Sequence, residues 1–96
     1  MPTYFVVNAT ITDPDGLDEY LAAVTPTFEG HDLAVLAATN EAQAIEGQPA
    51  GSRLVILRFP DEAAFRAWYH SSAYRAVIGL RTASTTGFAV LGDGRD

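Results

Sequence analysis

The stretch that decides the fold is Phe59–Arg81, FPDEAAFRAWYHSSAYRAVIGLR. It holds the only Trp, two of the four Tyr, one of the two His and three of the six Arg. Asp61 is placed to cap a first helix, in which Ala64, Phe65, Trp68 and Tyr69 form one apolar stripe. Ser71 or Ser72 interrupts that helix and caps a second. There Tyr74, Val77, Ile78 and Arg81 share a face, at spacings of 3, 4 and 7. Gly79 inside this second segment costs about 1 kcal/mol relative to Ala, and its presence predicts close packing.

Working outward, Arg53–Phe59 reads as a strand around the apolar run Leu54-Val55-Ile56-Leu57. Before it, Gly47–Ser52 (GQPAGS) is a loop. Asp32–Ala38 is a further strand, and Thr39-Asn40-Glu41 turns it into a shorter run ending at Ile45-Glu46, an optional extra strand. At the front, residues 3–12 (TYFVVNATIT) alternate, with Phe5, Val7, Ala9 and Ile11 on one parity and Tyr4, Val6, Asn8 and Thr10 on the other. Asp13 then caps a helix with Pro14 at its first position. Leu17, Tyr20, Leu21, Val24 and Phe28 form its core stripe, Pro26 ends or kinks it near Thr25, and Gly30 closes the segment. After the second helical pair, Gly87–Leu91 is the last strand, and the polar tail Gly92–Asp96 is expected to fray.

The order β-α-β-(β)-β-α(α)-β is the ferredoxin-like βαββαβ arrangement of the α+β class, within one domain spanning residues 1–96. It predicts an antiparallel sheet with both helical segments on one face. The strand cores YFVV, LAVLAA, LVIL and FAVL are apolar at both parities, the pattern of strands covered on both sides. Helices cover only one face, so the other is expected to close on a second copy as a homodimer.

Composition excludes much chemistry. The net charge of −6 argues against nucleic acid and anionic membrane as partners. With no Cys there is no thiolate nucleophile, disulfide or Cys-ligated metal. With no Lys there is no Schiff-base chemistry and no phosphate-loop lysine. No apolar run approaches the ~20 residues that span a bilayer, and MPTYFVVNATIT lacks the basic start of a signal peptide. A cytoplasmic protein is expected.

The ordered set of residues resembles the DUF1330 family. The matching elements are Asp13-Pro14 with Tyr20, Pro26, Gly30, Glu46-Gly47, Arg53, Phe59-Pro60 and Ala64. The densest match is Trp68-Tyr69-x-Ser71-x-x-Tyr74, with Arg81 seven residues on. Where that family tends to carry Gly-Gly and a basic residue, this chain has Glu29-Gly30-His31-Asp32. The resemblance implies a dimeric α/β-barrel and a pocket between sheet and helices. It implies no reaction and no cofactor. Relatives of that superfamily are small-molecule proteins, among them cofactor-free monooxygenases and ligand-binding modules, and fold-level likeness sets only a prior.

The candidate site residues each have a plainer alternative. His31, beside Glu29 and Asp32, is a general base or a surface loop histidine. His70 next to Ser71 lacks the context of a nucleophile dyad and reads as a helix-end histidine. Tyr69 and Tyr74 are proton donors or orienting groups, or core phenols with partners. Trp68 lines an aromatic pocket or fills the core. Arg53 and Arg81 are candidate anchors for a carboxylate ligand, or partners of one of the twelve acidic residues. Asn8, polar in an apolar strand, faces either a ligand or a dimer partner. No spacing of His and acidic residues suggests a metal site. Two functions stay open: a cofactor-independent enzyme on a small aromatic or carboxylate compound, and a non-catalytic ligand-binding or interaction module.

Overall fold

The computed structural model describes residues 1–95. Its strands are β1 (Thr3–Ile11), β2 (Ala34–Thr39), β3 (Arg53–Phe59) and β4 (Thr85–Asp93). Its helices are α1 (Pro14–Val24), α2 (Glu62–Tyr69) and α3 (Ser72–Ser84). They form one antiparallel sheet in the order β2-β3-β1-β4, the ferredoxin-like α+β topology expected.

Local chemistry sets the helix starts. Asp13 Oδ1 accepts from the Gly16 N–H at 3.1 Å, Asp61 Oδ1 from Ala64 at 2.8 Å, and Ser71 Oγ from Tyr74 at 3.2 Å. Each such cap contributes about 1 kcal/mol. Pro26 stops α1 as anticipated: the chain tightens into a 3-10 turn over Thr25–Phe28. Gly30 then takes φ +79°, the left-handed turn that a side chain would strain.

β1 is central, between β3 and β4, and its helix-facing parity Phe5, Val7 and Ala9 is buried. Around it pack Leu17, Tyr20 and Val24 from α1, Phe65 and Trp68 from α2, Tyr74 from α3, and Leu57 and Phe59 from β3. Large apolar side chains buried in this way contribute about 1.5–3 kcal/mol each. The opposite sheet face carries no helix. On it Phe88 and Val90 are 51% and 53% exposed, and Val6, Leu54 and Ile56 are half-buried.

The structure differs from the sequence reading at several ends. β2 begins at Ala34 rather than Asp32, and the run to Glu46 forms no strand; Ile45 is 87% exposed. β4 extends beyond Gly87–Leu91 at both ends. Gly92 and Asp93, assigned to a fraying tail, instead pair with Tyr4 and Thr3, and the Gly94 N–H reaches the Pro2 carbonyl at 2.7 Å. Those polar residues show no apolar alternation, yet pairing along the whole of β1 requires only backbone groups. Asp96, the last residue of that tail, lies outside the described residues. Gly79 is not a point of close approach, since a Cβ there would meet nothing within 4 Å. That role belongs to Gly87, where a Cβ would collide with the Asn8 carbonyl of β1.

Candidate functional site

The pairing register places apolar side chains of decreasing size along the helix-facing side of the sheet, with Arg53 the one long side chain at the small end. Phe5 lies between Leu57 and Leu91, Val7 between Val55 and Ala89, and Ala9 between Arg53 and Gly87. Beneath α2 the layer is filled. Phe59 stacks obliquely on Trp68 at 5.8 Å, Trp68 on Tyr74 at 4.1 Å, and Phe5 on Phe65 at 5.0 Å. Beneath α1 and α3 the small residues leave space.

That space is a trough in three parts that share lining residues. A central cavity of about 30 Å³ lies under Leu17 and Tyr20, with Arg53 and Arg81 at its walls. Through Val7, Ala9, Arg81 and Thr85 it adjoins a 330 Å³ cleft between α3 and β4. Through Tyr20, Arg53 and Val55 it adjoins a 240 Å³ apolar cleft, walled by α1, Phe28, β2 and β3. Among the described residues no carboxylate or imidazole lines any of the three.

Two guanidinium groups serve this trough. Arg53, 8% exposed at the start of β3, donates from Nη1 to Asn40 Oδ1 at 2.9 Å. Arg81 projects from the last turns of α3 and donates from Nε to the Tyr74 hydroxyl at 3.4 Å, a long and weak bond. Neither meets a carboxylate: among the described residues the one ion pair is Arg66–Glu62, 3.3 Å apart on the surface of α2. Burial lowers the Arg53 pKa, opposed by Tyr20. Burial acts in the same sense on Arg81, but the phenols of Tyr74, Tyr20 and Tyr69 outweigh it and leave its pKa raised. Both stay cationic, as arginine does throughout proteins.

Tyr20 and Tyr74 complete the site. Their hydroxyls are 3.0 Å apart inside the core. Burial first, and then the neighbouring Tyr74, push the Tyr20 hydroxyl well above its ordinary pKa, so it stays protonated.

Of the residues singled out in the sequence, the structure brings together Arg53, Arg81 and Tyr74. Trp68 is fully packed in the aromatic end and donates Nε1–H to Thr27 Oγ1 at 3.0 Å. Tyr69 stacks on Phe65 at 5.1 Å, and the Arg75 guanidinium lies 4.3 Å above its ring. His31 sits in the turn after the 3-10 segment, tied by its backbone to Phe28 O, and lines none of the three spaces. His70 ends α2 and is exposed. Asn8 faces the helix-free side. Its amide donates to the Gly51 and Arg53 carbonyls, both at 2.9 Å, and accepts from the Ala50 N–H at 2.8 Å, which pins the 50–53 segment leading into Arg53. The sequence places Tyr20 in a helical stripe and among the residues that match the family, but not among the candidate site residues. The signal that could have singled it out was a phenol at a core position, where its hydroxyl needs a partner. Among the described residues no three His, Asp or Glu side chains gather as a metal cluster, and no helix is long and apolar enough to cross a membrane.

Comparison with known proteins supports this architecture. The model of a domain of unknown function, DUF1330, matches residues 2–94. No curated protein matches the chain in sequence. Among solved structures, a protein of unknown function from Rhodopseudomonas palustris superposes with a TM-score of 0.78 at 17% identity, covering 99% of this chain and 83% of that one. SnoaB, a cofactor-independent oxygenase from Streptomyces nogalater, gives 0.70 at 17% identity over 99% and 94%. A dimeric ferredoxin-like protein of unknown function from Thermobifida fusca gives 0.65 at 17% identity over 96% and 90%. At these identities the likeness establishes the fold alone.

Proposed function

The chain belongs to the DUF1330 family, and on that premise we propose that it is a homodimeric small-molecule-binding protein whose ligand occupies the trough between α1, α3 and the sheet. One observation carries the reading: Arg53 and Arg81 are drawn toward the core beside open space, with no carboxylate among the described residues to neutralise them. Withdrawing a charge from water is costly unless something pairs with it. A bound molecule supplies what the protein does not.

Dimerisation rests on the helix-free face, which carries Phe88, Val90, Val6, Leu54 and Ile56. The molecule measures 30 × 30 Å across its two longest dimensions, a footprint comparable with the roughly 800 Å² per partner of a standard interface. The dimeric ferredoxin-like structure from Thermobifida fusca accords with this. Light scattering at micromolar concentration is expected to give twice the 10.3 kDa chain mass; a mass near 10.3 kDa overturns the dimer. A fragment screen followed by backbone NMR tests the ligand site. Shifts gathered on Tyr20, Arg53, Val55 and Arg81 support the trough, and hits clustering only elsewhere reject it.

Among the described residues the trough offers hydrogen-bond donors and positive charge but no carboxylate or imidazole to act as a base, which favours binding over general-base catalysis. A second reading has one observation behind it. The same donors would stabilise an enolate, and SnoaB, with the same fold, is a cofactor-independent oxygenase. It requires a substrate acidic enough to reach its anion without a protein base. Oxygen uptake with an acidic polyphenol, abolished in Arg81→Gln, would mark that reading.

A further inference from the structure

The tyrosine pair has a direction, and the direction identifies the ligand. Tyr74 is 0% exposed, and its hydroxyl has two neighbours, Tyr20 Oη at 3.0 Å and Arg81 Nε at 3.4 Å. Arginine only donates, so Arg81 takes a lone pair of Tyr74 and offers nothing to its proton. A buried O–H without an acceptor is costly. Either hydroxyl of the pair could donate, but among the described residues the sole acceptor within reach of the Tyr74 proton is the Tyr20 oxygen, which argues for Tyr74 as the donor. Tyr20 meets no other acceptor among the described residues, since the Arg81 guanidinium, the other group near its hydroxyl, only donates, and Tyr20 lines both the central cavity and the apolar cleft. Its own proton is therefore left for whatever occupies that space. Each link in the series Arg81→Tyr74→Tyr20 polarises the next, which strengthens the final donor.

Arg53 lines the same two spaces, and one of its terminal nitrogens is held by Asn40. The rest of its donor fork is uncommitted. Next to both lies a 240 Å³ cleft whose walls are Leu21, Val24, Phe28, Val35, Val55 and Leu57. We propose that this end of the trough binds an apolar monocarboxylate: the carboxylate takes the Tyr20 O–H and the Arg53 fork, and the hydrocarbon body lies between α1 and β2–β3. A carboxylate accepts on both oxygens and cannot donate, which matches a site made only of donors. The inference rests on the trough being a ligand site and adds the ligand's class and orientation.

The test is calorimetric titration and NMR of the whole protein with 3-phenylpropanoate, its uncharged amide 3-phenylpropanamide, and the dicarboxylate succinate. The acid is expected to bind about tenfold or more tighter than the amide, since charge-assisted bonds are the strong ones, and succinate is expected to bind weakest because its second charge meets the apolar wall. Phenyl protons should show contacts to Val35 and Leu57, and the methylene beside the carboxylate contacts to Arg53. Arg53→Gln and Tyr20→Phe should each erase most of the acid-over-amide preference. Equal binding of acid and amide in the trough overturns the carboxylate assignment yet leaves a ligand site for neutral molecules. Phenyl contacts on Arg53 overturn the orientation. Perturbation of the trough by none of the three compounds overturns the assignment and, with an empty fragment screen, the trough reading as well. Where a variant fails to fold, the wild-type acid-to-amide ratio decides alone.

Discussion

The two ends of the helix–sheet layer share three strands and differ in what those strands carry. At the α2 end, Phe5, Phe59, Phe65, Trp68 and Tyr74 fill the layer with rings 4.1–6.3 Å apart. At the other end the same strands present Ala9, Val55, Ala89 and Gly87, and the volume under α1 and α3 stays open. Packing at native density makes the first end rigid and intolerant of change. The second relies on that rigidity to keep a space between elements that would otherwise close. Tight packing and open volume are thus segregated along one sheet.

The largest expected effect breaks the filled end. Trp68→Ala should cost about 3–5 kcal/mol, as other large core truncations do, and it also removes the indole N–H that the Thr27 oxygen accepts, leaving Thr27 only its bond to the Val24 carbonyl. Urea denaturation measures this. A loss under about 1 kcal/mol would mean that the aromatic end is as loose as the other.

Next comes the hydroxyl pair at the boundary. Tyr20→Phe leaves the Tyr74 proton without an acceptor and should cost about 1–3 kcal/mol, whereas Tyr20→Phe combined with Tyr74→Phe should cost no more than the single change. A double variant losing the sum of both singles would refute the directional pair. The pair also sets an alkaline limit. Because Tyr20 holds its proton above the ordinary 10.0, the unfolded chain sheds a proton that the folded chain keeps. That contribution is whole below about pH 10 and falls as pH rises past it. Denaturation at about pH 9 and about pH 11 should show the decline in wild type and a shallower one in Tyr20→Phe.

A smaller effect on stability with a large effect on binding sharpens the contrast. Val55→Phe projects into the open trough and should change stability by less than about 1.5 kcal/mol, while lowering affinity for any trough ligand at least about tenfold. Unchanged affinity would place the ligand elsewhere. Smallest of all, Glu62→Ala removes the exposed pair with Arg66 and should move stability by less than about 0.5 kcal/mol.

Much of the architecture was legible in the chain because it is set by local rules. The caps at Asp13, Asp61 and Ser71, the stop at Pro26 and the parity of Phe5-Val7-Ala9 all follow from residues a few positions apart. The ends of β4 were not legible, since Gly92 and Asp93 are ordered by β1 and not by their own composition. The trough was legible only in fragments: the sequence offers Arg53, Tyr74, Arg81, His31, Tyr69, Trp68 and Asn8 as candidates, and only the surroundings show that Arg53 and Arg81 line the open space.

The Phe59–Arg81 stretch shows where the division falls. By itself the sequence determined that it forms two capped helices with one apolar face, and that the whole is a ferredoxin-like α+β domain, because helix periodicity and capping act over three or four residues. Only the tertiary structure decided that Trp68 closes the core while Arg81, on the same stretch, meets Tyr74 and, through it, Tyr20. Tyr20 and Tyr74 are 54 positions apart, and what joins them is the packing of α1 against α3 over a sheet whose side chains shrink toward one end. That taper appears only once three strands are in register, since the size of a cavity belongs to a row across the sheet and not to any one strand.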